Sequence, residues 1–420
     1  MKTNPTKTNA GTAVLDAECT TTNTNPTNLT TANTTLLVGL DLGTNTSCLM
    51  SAPLGAETKP ARELVPTVVG YAKDDVLNGI LPGEAKVLFG RLAQKHKQNL
   101  TLVRPLQGGV IHDLKATRLF ATHLLNLLHG SGHEVSTGTN LPTNSTSTHL
   151  GVRGVVAKPT TTNLATREIR AVIGMPASSD LSARENARTA FRGLFTKVLF
   201  VPEPFLAAIG YRDDARISDA NYHDPVLNSL YIDIGAGSTD VCLVQGHYPT
   251  VDDQLSVPFA GDAVDQIILD RILAEYPECG LTLGRIREIK ERHSWVLAED
   301  GTTPAIATVM VGGKPRKIDV TAQVGAGCEA LLQKVFEMTR DLITRAEPET
   351  VAELLQNVIV TGGGSLTKGF GMALQAKLLE EGFENPRVQV LGDKYKDFVA
   401  LGALKIAQRA RENQWQTLLG

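Results

Sequence analysis

Two stretches of the chain repeat one arrangement of residues that is suited to holding a phosphate group. In each, an apolar strand runs into an aspartate, a glycine turn and hydroxyl residues; the stretches are Leu36–Cys48 and Ser229–Val241. Glycine lets a turn fold tightly and brings backbone N–H groups close to a bound anion. An acidic residue just before the turn suits a hydrated Mg²⁺ better than a bare phosphate. Two such hairpins, about 190 residues apart, can grip one polyphosphate from both sides.

A third glycine run, Gly362–Gly364, follows an apolar strand and precedes a helical pattern. Three consecutive glycines remove every Cβ, so a flat ring could lie against the backbone there. The dinucleotide pattern Gly-x-Gly-x-x-Gly and the Walker A pattern are both absent from this run. A single Asp-x-Gly-x-Thr stretch is more typical of an ordinary hairpin, but the duplication and this third run favour a nucleotide site.

One carboxylate, Glu203, lies between Pro202 and Pro204, after a buried strand and before an apolar helical face. A carboxylate held at such a strand-to-helix corner can orient a water for attack on a γ-phosphate, or act as its base. The alternative interpretation is an acid at a helix start, where the helix dipole favours a negative charge. The two phosphate hairpins favour the catalytic interpretation.

These residues must be positioned by alternating strands and helices. Strands are predicted at 168–174, 197–201 and 357–361, and a helix at 182–195 with Ser178, Ser179 or Asp180 as its cap. This alternation predicts α/β layers with helices covering the sheets. The two hairpins begin two similar halves, which is a duplication of architecture and not a short repeat.

Bulk properties set the broad class. The chain has 420 residues, enough for two domains, and its net charge of −3 gives no argument for nucleic-acid binding. Five scattered cysteines, with no Cys-x-x-Cys pair, argue against a disulfide framework or a zinc site. No apolar run is long enough to span a bilayer, and the N-terminus lacks the apolar core of a signal peptide. We therefore expect a cytoplasmic protein without a transmembrane segment.

Two segments are of low complexity. Residues 1–35 are dominated by Thr and Asn, and 131–166 has a similar Thr, Ser, Asn and Gly composition. Such segments carry too little apolar surface to offset their ordering entropy. We predict a disordered tail at 1–35 and a mobile insertion at 131–166. Either segment is a tether for a partner or a spacer without one.

The order of the motifs resembles that of the actin, heat-shock chaperone and sugar-kinase superfamily. Phosphate loop one (Asp41–Thr46), the helix that starts at Glu203, phosphate loop two (Asp233–Thr239) and the adenosine loop (Gly362–Ser365) follow in that order. The resemblance covers roughly 36–410. It implies an α/β, actin-like ATPase fold in which two ribonuclease-H-like domains flank a nucleotide cleft. Domain I would span 36–225, domain II 226–390 with an adenosine-side subdomain at about 263–320, and 391–420 would return to domain I.

Further short sequence segments distinguish between the branches of this superfamily. The stretches 203–211 and 233–240 resemble the bacterial actins and the chaperones. No substrate-binding domain follows the helix around 402–407, which argues against a chaperone, and no counterpart of a sugar-kinase base is found. Four segments resemble the magnetosome-associated bacterial actins more than the bacterial actins that determine cell shape, namely 104–111, 171–177, 317–321 and 328–331.

The resemblance also implies roles for individual residues. Asp41 and Asp233 would hold Mg²⁺ through water, and Glu203 would position the hydrolytic water. The phosphates of ATP or ADP would be met by Gly43, Thr44, Asn45, Gly235, Ala236, Gly237 and Ser238. The ribose and adenosine would be met by Gly261, Lys290, Glu291, Gly362, Gly363, Gly364 and Ser365. Cys48 departs from the pattern, because muscle-type actin has a lysine there; charge neutralisation is then left to Mg²⁺ and backbone amides.

The expected function is that of an ATPase that self-associates into cytoskeletal filaments, with hydrolysis driving their turnover. The branch implies a role in organising or positioning magnetosomes, with membrane-associated organelle proteins as partners. Two alternatives stay open: a non-polymerising, ATP-dependent adaptor for a membrane assembly, and a small-molecule kinase.

Overall fold

The computed structural model describes residues 35–130, 168–177, 179–296 and 303–418. The predictions made for the tail before Thr35, for the insertion at 131–166 and for Ser178 as a cap lie outside the described residues. Within the described ranges, no helix is both long and apolar enough to cross a membrane.

Strands and helices alternate along most of the described chain. The strands are β1 (Leu36–Leu42), β2 (Thr46–Pro53), β3 (Ala61–Pro66), β4 (Val69–Ala72), β5 (Val87–Phe89), β6 (Leu100–Val103), β7 (Leu106–Gln107), β8 (Val110–Ile111), β9 (Ile169–Met175), β10 (Lys197–Pro202), β11 (Ser229–Ile234), β12 (Thr239–Val244), β13 (Gln254–Val257), β14 (Ile306–Val311), β15 (Lys314–Asp319), β16 (Val358–Thr361), β17 (Val388–Val390) and β18 (Gln416–Thr417). The α-helices are α1 (Gly90–Lys95), α2 (Leu114–Gly130), α3 (Leu181–Phe191), α4 (Glu203–Tyr211), α5 (Gly261–Glu275), α6 (Leu283–His293), α7 (Thr321–Ile343), α8 (Pro348–Leu355), α9 (Phe370–Glu380) and α10 (Tyr395–Arg409).

Two sheets repeat one topology. The first sheet has the strand order β18-β10-β9-β1-β2-β3, and the second has the order β13-β12-β11-β16-β17. In each sheet, the strand before a phosphate loop pairs antiparallel with the strand after it. The same strand pairs parallel with a strand that arrives by a later crossover, β9 or β16. This repetition confirms the α/β class and the duplicated architecture expected from the two hairpins.

The two sheets share a middle layer formed by α4 and α10. One buried cluster joins Leu37 of β1 and Tyr231 of β11 to Leu206 of α4 and Leu404 of α10. Helices α2 and α3 cover the other face of the first sheet, and α5, α7 and α9 cover the other face of the second. Because β1 and β11 are covered on both faces, their sequences are nearly continuous apolar runs. In each of these strands the one residue that is only partly buried is an aspartate, Asp41 or Asp233.

The predicted strands at 168–174, 197–201 and 357–361 form as β9, β10 and β16, each within one residue of the expected bounds. The cap of α3 is Asp180, whose side chain accepts a 2.7 Å hydrogen bond from the Ala183 N–H. The predicted end of this helix at Phe195 was wrong. The helix ends at Phe191, because Arg192 leaves the helical conformation and Gly193 adopts φ +74°.

Candidate functional site

The motifs singled out in the sequence line one cleft of about 460 Å³. Its walls come from elements packed on both sheets: the β1–β2 and β11–β12 turns, the starts of α4 and α5, and α6. All but one of the predicted site residues line it, namely Asp41, Gly43, Thr44, Asn45, Glu203, Asp233, Gly235, Ala236, Gly237, Ser238, Gly261, Lys290, Glu291, Gly362, Gly363 and Gly364.

Ser365 is the predicted site residue that does not reach the cleft wall. It is 2% exposed, and its Oγ donates a 2.7 Å hydrogen bond to the Gly362 carbonyl oxygen. The hydroxyl therefore holds the turn of the adenosine loop together from within.

The two phosphate loops contact each other directly, with the β7–β8 turn beside them. Thr44 Oγ1 accepts a 3.1 Å hydrogen bond from the Gly109 N–H in that turn. A Cβ added at Gly237 would lie 2.4 Å from Thr44 Oγ1 and 2.7 Å from the Gly109 nitrogen. Any side chain at 237 would push the loops apart, so glycine is required for this contact.

Four carboxyl groups crowd one region of the cleft: Asp41, Glu203, Asp233 and Asp240. Burial raises the pKa of Asp41 to about 7. Burial, followed by the charges of Asp240 and Asp41, raises the pKa of Asp233 to about 8. Burial, followed by the charge of Asp41, also raises the pKa of Glu203 well above its usual value. A nearby cation would reverse these shifts, since it favours the ionised form of each group.

Two glycines leave the space that these carboxylates occupy. A Cβ on Gly362, whose φ is +84°, would lie 2.5 Å from Asp233 Oδ1. A Cβ on Gly174, at the end of β9, would lie 2.9 Å from Glu203 Cγ. The absence of a side chain at Gly362 thus makes room for the Asp233 carboxylate. It also leaves the backbone of the adenosine loop accessible.

The donor set fits a cation held through water. Among the described residues, no group of three or more His, Cys, Asp or Glu side chains is placed to hold a metal ion directly. Asp41 and Asp233 nevertheless line one cleft, and the charge of Asp41 is among the causes that raise the pKa of Asp233. Hydrated Mg²⁺ usually keeps several waters and takes one or two protein carboxylates, which suits this arrangement.

Asp240, the fourth carboxylate, joins the two sides of the cleft. Its Oδ1 accepts a 2.7 Å hydrogen bond from the Ala177 N–H, just after β9, and its Oδ2 accepts one of 2.8 Å from Ser238 Oγ. Asp240 lies opposite Asp233 in the β11–β12 pair, as Cys48 lies opposite Asp41 in the β1–β2 pair. Cys48 is buried, and burial raises the pKa of its thiol, so the first hairpin contributes no charge at this position.

The α5–α6 side of the cleft is held by ion pairs. Lys290 Nζ donates a 2.6 Å hydrogen bond to the Gly261 carbonyl oxygen and lies 2.7 Å from Asp265 Oδ1. The N–H groups of Gly261 and Asp262 donate to the carbonyl oxygens of phosphate loop two. The start of α5 is therefore fastened to that loop, and Lys290 is anchored at the cleft wall.

Tyr395, at the first turn of α10, closes the side of the adenosine loop. Its hydroxyl lies 3.3 Å from the position a Cβ would take on Gly363. Burial, followed by the charges of Asp233 and Glu291, raises the pKa of Tyr395 to about 12. The phenol is therefore neutral at physiological pH and can donate a hydrogen bond into the cleft.

Several polar side chains of the cleft were not predicted from the sequence, among them Asp240, Asp262, Arg287 and Tyr395. Asp262 directly follows the predicted residue Gly261, and Asp240 lies two positions after Ser238. Arg287 lies three positions before Lys290 on one helix face. Extending each motif by one turn would have found these three. Tyr395 carries no local signal, because only the packing of α10 brings it to the cleft.

The duplicated sheets, the shared helical layer and a cleft lined by two phosphate loops and an adenosine loop define an actin-like protein. Comparison with known families agrees. The sequence model of the family described as MreB/Mbl protein matches residues 143–414, more than half of the chain. The chain belongs to the MreB/Mbl family of actin-like proteins.

Curated relatives narrow the resemblance. The chain is 30% identical over 390 residues to the actin-like protein MamK of Paramagnetospirillum magneticum, covering 92% of this chain and 96% of that one. It is 29% identical to MamK of Magnetospirillum gryphiswaldense, covering 91% of this chain and 92% of that one. These relatives confirm the resemblance to the magnetosome-associated branch of the bacterial actins.

Solved structures give the same picture. The MamK double helical filament matches with a TM-score of 0.71 and 28% identity, over 90% of this chain and 99% of that one. A non-polymerising MamK mutant bound to AMPPNP matches with a TM-score of 0.58 and 27% identity, over 90% and 100% of the two chains. MreB5 of Spiroplasma citri bound to ADP, at 16% identity, a TM-score of 0.65 and coverage of 91% and 98%, supports the fold alone.

Proposed function

We propose that this protein is an ATP-dependent, filament-forming actin-like protein of the cytoskeleton, and that ATP hydrolysis drives filament turnover. The observation that carries the proposal is the convergence of two phosphate loops, an adenosine loop and Glu203 on one cleft. The MamK relatives support it, since one of them is solved as a double helical filament and another with AMPPNP bound.

The cleft residues divide the work of binding and hydrolysis. Backbone N–H groups of the phosphate loops, that of Ser238 included, and the hydroxyl group of Thr44 contact the phosphates of ATP or ADP. Asp41 and Asp233 would hold Mg²⁺ through its waters, and the ion would supply positive charge to neutralise the phosphates. Glu203 orients the attacking water and accepts its proton, a role that requires the ionised carboxylate. Burial and the neighbouring carboxylates disfavour that form in the metal-free cleft, and a nearby cation would restore it.

Assembly is proposed to join subunits head to tail, a contact that does not close on itself and so produces a filament. The cleft is proposed to have an open and a closed state, and the change between them switches assembly on and off. ATP stabilises the closed, polymerising state, and hydrolysis weakens the contacts because ADP interacts differently with the two states. We further propose that the filament lies in the cytoplasm beside magnetosome membranes and organises or positions those organelles. The resemblance to the magnetosome-associated bacterial actins supports this proposal.

Sedimentation tests the central claim. The purified protein is incubated with Mg-ATP, with Mg-AMPPNP, with Mg-ADP, or with EDTA and no nucleotide, and is then pelleted. We expect pelleting with the two triphosphates and little without nucleotide, with double helical filaments visible by electron microscopy. A protein that stays monomeric at high concentration with both triphosphates would contradict the filament proposal.

The same preparation separates the two alternatives. An adaptor would bind Mg-ATP with ordinary affinity and stay monomeric. A small-molecule kinase would turn over ATP only when a phosphoryl acceptor is added. ATP hydrolysis that rises with the onset of assembly, with no added acceptor, would exclude both.

A further inference from the structure

Two arginines from opposite sides of the cleft share one carboxylate, that of Asp262. Arg104 Nη1 lies 3.1 Å from Asp262 Oδ2, and Arg287 Nη2 lies 2.6 Å from Asp262 Oδ1. Arg104 follows β6, and Leu106, two residues further along the chain, is buried in the core of the first sheet. Asp262 and Arg287 lie on α5 and α6, whose apolar faces belong to the core of the second sheet. The shared carboxylate therefore joins the two halves of the molecule.

A second contact crosses the cleft beside the first. Arg287 Nη1 donates a 3.3 Å hydrogen bond to Oδ1 of Asn45, which belongs to phosphate loop one. Arg287 is itself held in place, because its Nε lies 2.9 Å from Oδ2 of Asp265, whose side chain is 1% exposed. The guanidinium thus reaches across the cleft from an anchored position on α6.

These crossing contacts differ from the hydrogen bond between Ala177 and Asp240, which is buried. The side chains of Arg104 and Asp262 are 45% and 32% exposed, so their pair lies where the cleft meets solvent. A rim contact of this kind can break and re-form at little cost, since water replaces each partner. A buried contact cannot do so as readily.

We propose that Arg104, Asp262, Arg287 and Asn45 form a latch that keeps the cleft closed over a bound nucleotide and sets the rate at which the nucleotide leaves. Asp262 is its central residue, because its carboxylate contacts both arginines. Arg287 is a positioning residue that steers the side chain of Asn45 in phosphate loop one. The inference rests on the proposed function, since it assumes that the occupant of the cleft is a nucleotide.

Release of a fluorescent ATP analogue tests the latch. The wild-type protein is loaded with Mg²⁺ and the analogue at a concentration too low for assembly, and excess unlabelled ATP is added. Arg104→Ala should release the analogue about 2- to 5-fold faster, the range expected for an exposed ion pair. Asp262→Asn should release it about 10-fold faster, because charge-assisted contacts to both arginines are weakened.

Matched variants separate the latch from general effects. Arg91, an exposed arginine on α1 for which the described part of the chain shows no ion pair, is the control; Arg91→Ala should release the analogue at the wild-type rate. Arg104→Lys keeps the charge and should stay close to wild type. Added salt should accelerate release from the wild type more than from Arg104→Ala, because salt screens a pair that the variant lacks.

Wild-type release from Arg104→Ala, with unchanged salt dependence, would overturn the latch while leaving the proposed function intact. A wild-type protein that never retains the analogue would overturn both the proposed function and the latch. Arg104 is exposed at the rim, so its variant does not depend on repacking a core. If Asp262→Asn does not fold, Arg104→Ala alone decides the question.

Discussion

Gly210 of α4 and Gly402 of α10 face each other at a point where the two helices are in backbone contact. A Cβ on Gly402 would lie 1.8 Å from the Leu206 carbonyl oxygen and 2.9 Å from the Gly210 nitrogen. A Cβ on Gly210 would lie 1.9 Å from the Phe398 carbonyl oxygen and 3.0 Å from the Gly402 nitrogen. This close approach keeps the shared layer thin, so that both sheets pack on the same two helices.

Gly402→Ala should therefore destabilise the fold. Alanine is the better helix former by about 1 kcal/mol, but the added methyl group would have to move the backbone of α4, and overpacking of a core typically costs about 1–3 kcal/mol. The urea midpoint of unfolding, measured by circular dichroism, should fall.

Gly284→Ala is the control for this prediction. It lies on α6, and a Cβ there would meet only Thr282 Oγ1, at 3.9 Å. Its stability should be unchanged or slightly higher. Equal effects of the two substitutions would show that the contact between α4 and α10 is not tight.

Glu203→Gln should separate hydrolysis from assembly. The amide keeps the shape of the side chain but cannot accept a proton, and loss of such a group typically slows a reaction ~10²–10⁴-fold. Nucleotide affinity should change little, and filaments should form and persist. Single-turnover phosphate release and light scattering on one preparation measure both effects.

Glu349→Gln, an exposed change on α8, should leave phosphate release at the wild-type rate. Normal release from Glu203→Gln would remove the catalytic role of Glu203. Lost release together with lost nucleotide binding would indicate that Glu203 supports the structure of the strand-to-helix corner.

Asp233→Asn should weaken Mg-ATP binding far more than ATP binding in EDTA, because the aspartate is proposed to hold the hydrated metal. Calorimetric titration with and without Mg²⁺ measures the difference. Asp252→Asn, in the exposed connection between β12 and β13, is the matched control and should bind both ligands normally. Wild-type Mg-ATP affinity in Asp233→Asn would exclude this residue from the metal site.

The raised pKa values of Asp41 and Asp233, about 7 and about 8, predict how the stability of the metal-free protein depends on pH. Both exceed the value of 3.8 for an ordinary aspartate, so the folded state binds these protons more tightly than the unfolded chain. Their contribution to stability is complete below about pH 4 and is lost as the pH rises through about 7–8.

With Mg-ATP bound, the metal favours the ionised carboxylates, so the protein should lose less stability as the pH rises. The increase in melting temperature caused by Mg-ATP should therefore grow between about pH 6 and pH 9. Asp233→Asn should make the stability of the metal-free protein depend less on pH. An increase in melting temperature that is independent of pH would show that the two carboxyl groups do not titrate in this range.

The local features of the site could be predicted from the sequence. Gly43 and Gly235 make room for the backbone of their own turns, since a Cβ there would lie 2.5 Å from the Thr46 oxygen and 3.1 Å from the Ser238 oxygen. Apolar strands must precede these turns if both faces of a sheet are covered. These requirements act between neighbours in the chain, so they leave a legible pattern. The repetition of that pattern, and the glycine run at 362–364, were sufficient to indicate two related halves and a shared cleft.

Other features were decided only by the tertiary structure. Nothing local to Tyr395 indicates that it closes the adenosine loop, and nothing near Gly402 shows that Gly210 lies opposite it. The hydroxyl of Ser365 also turns inward although its neighbours line the cleft. In each case the outcome depends on which distant surface packs against the residue, since the same local sequence is compatible with several packing arrangements.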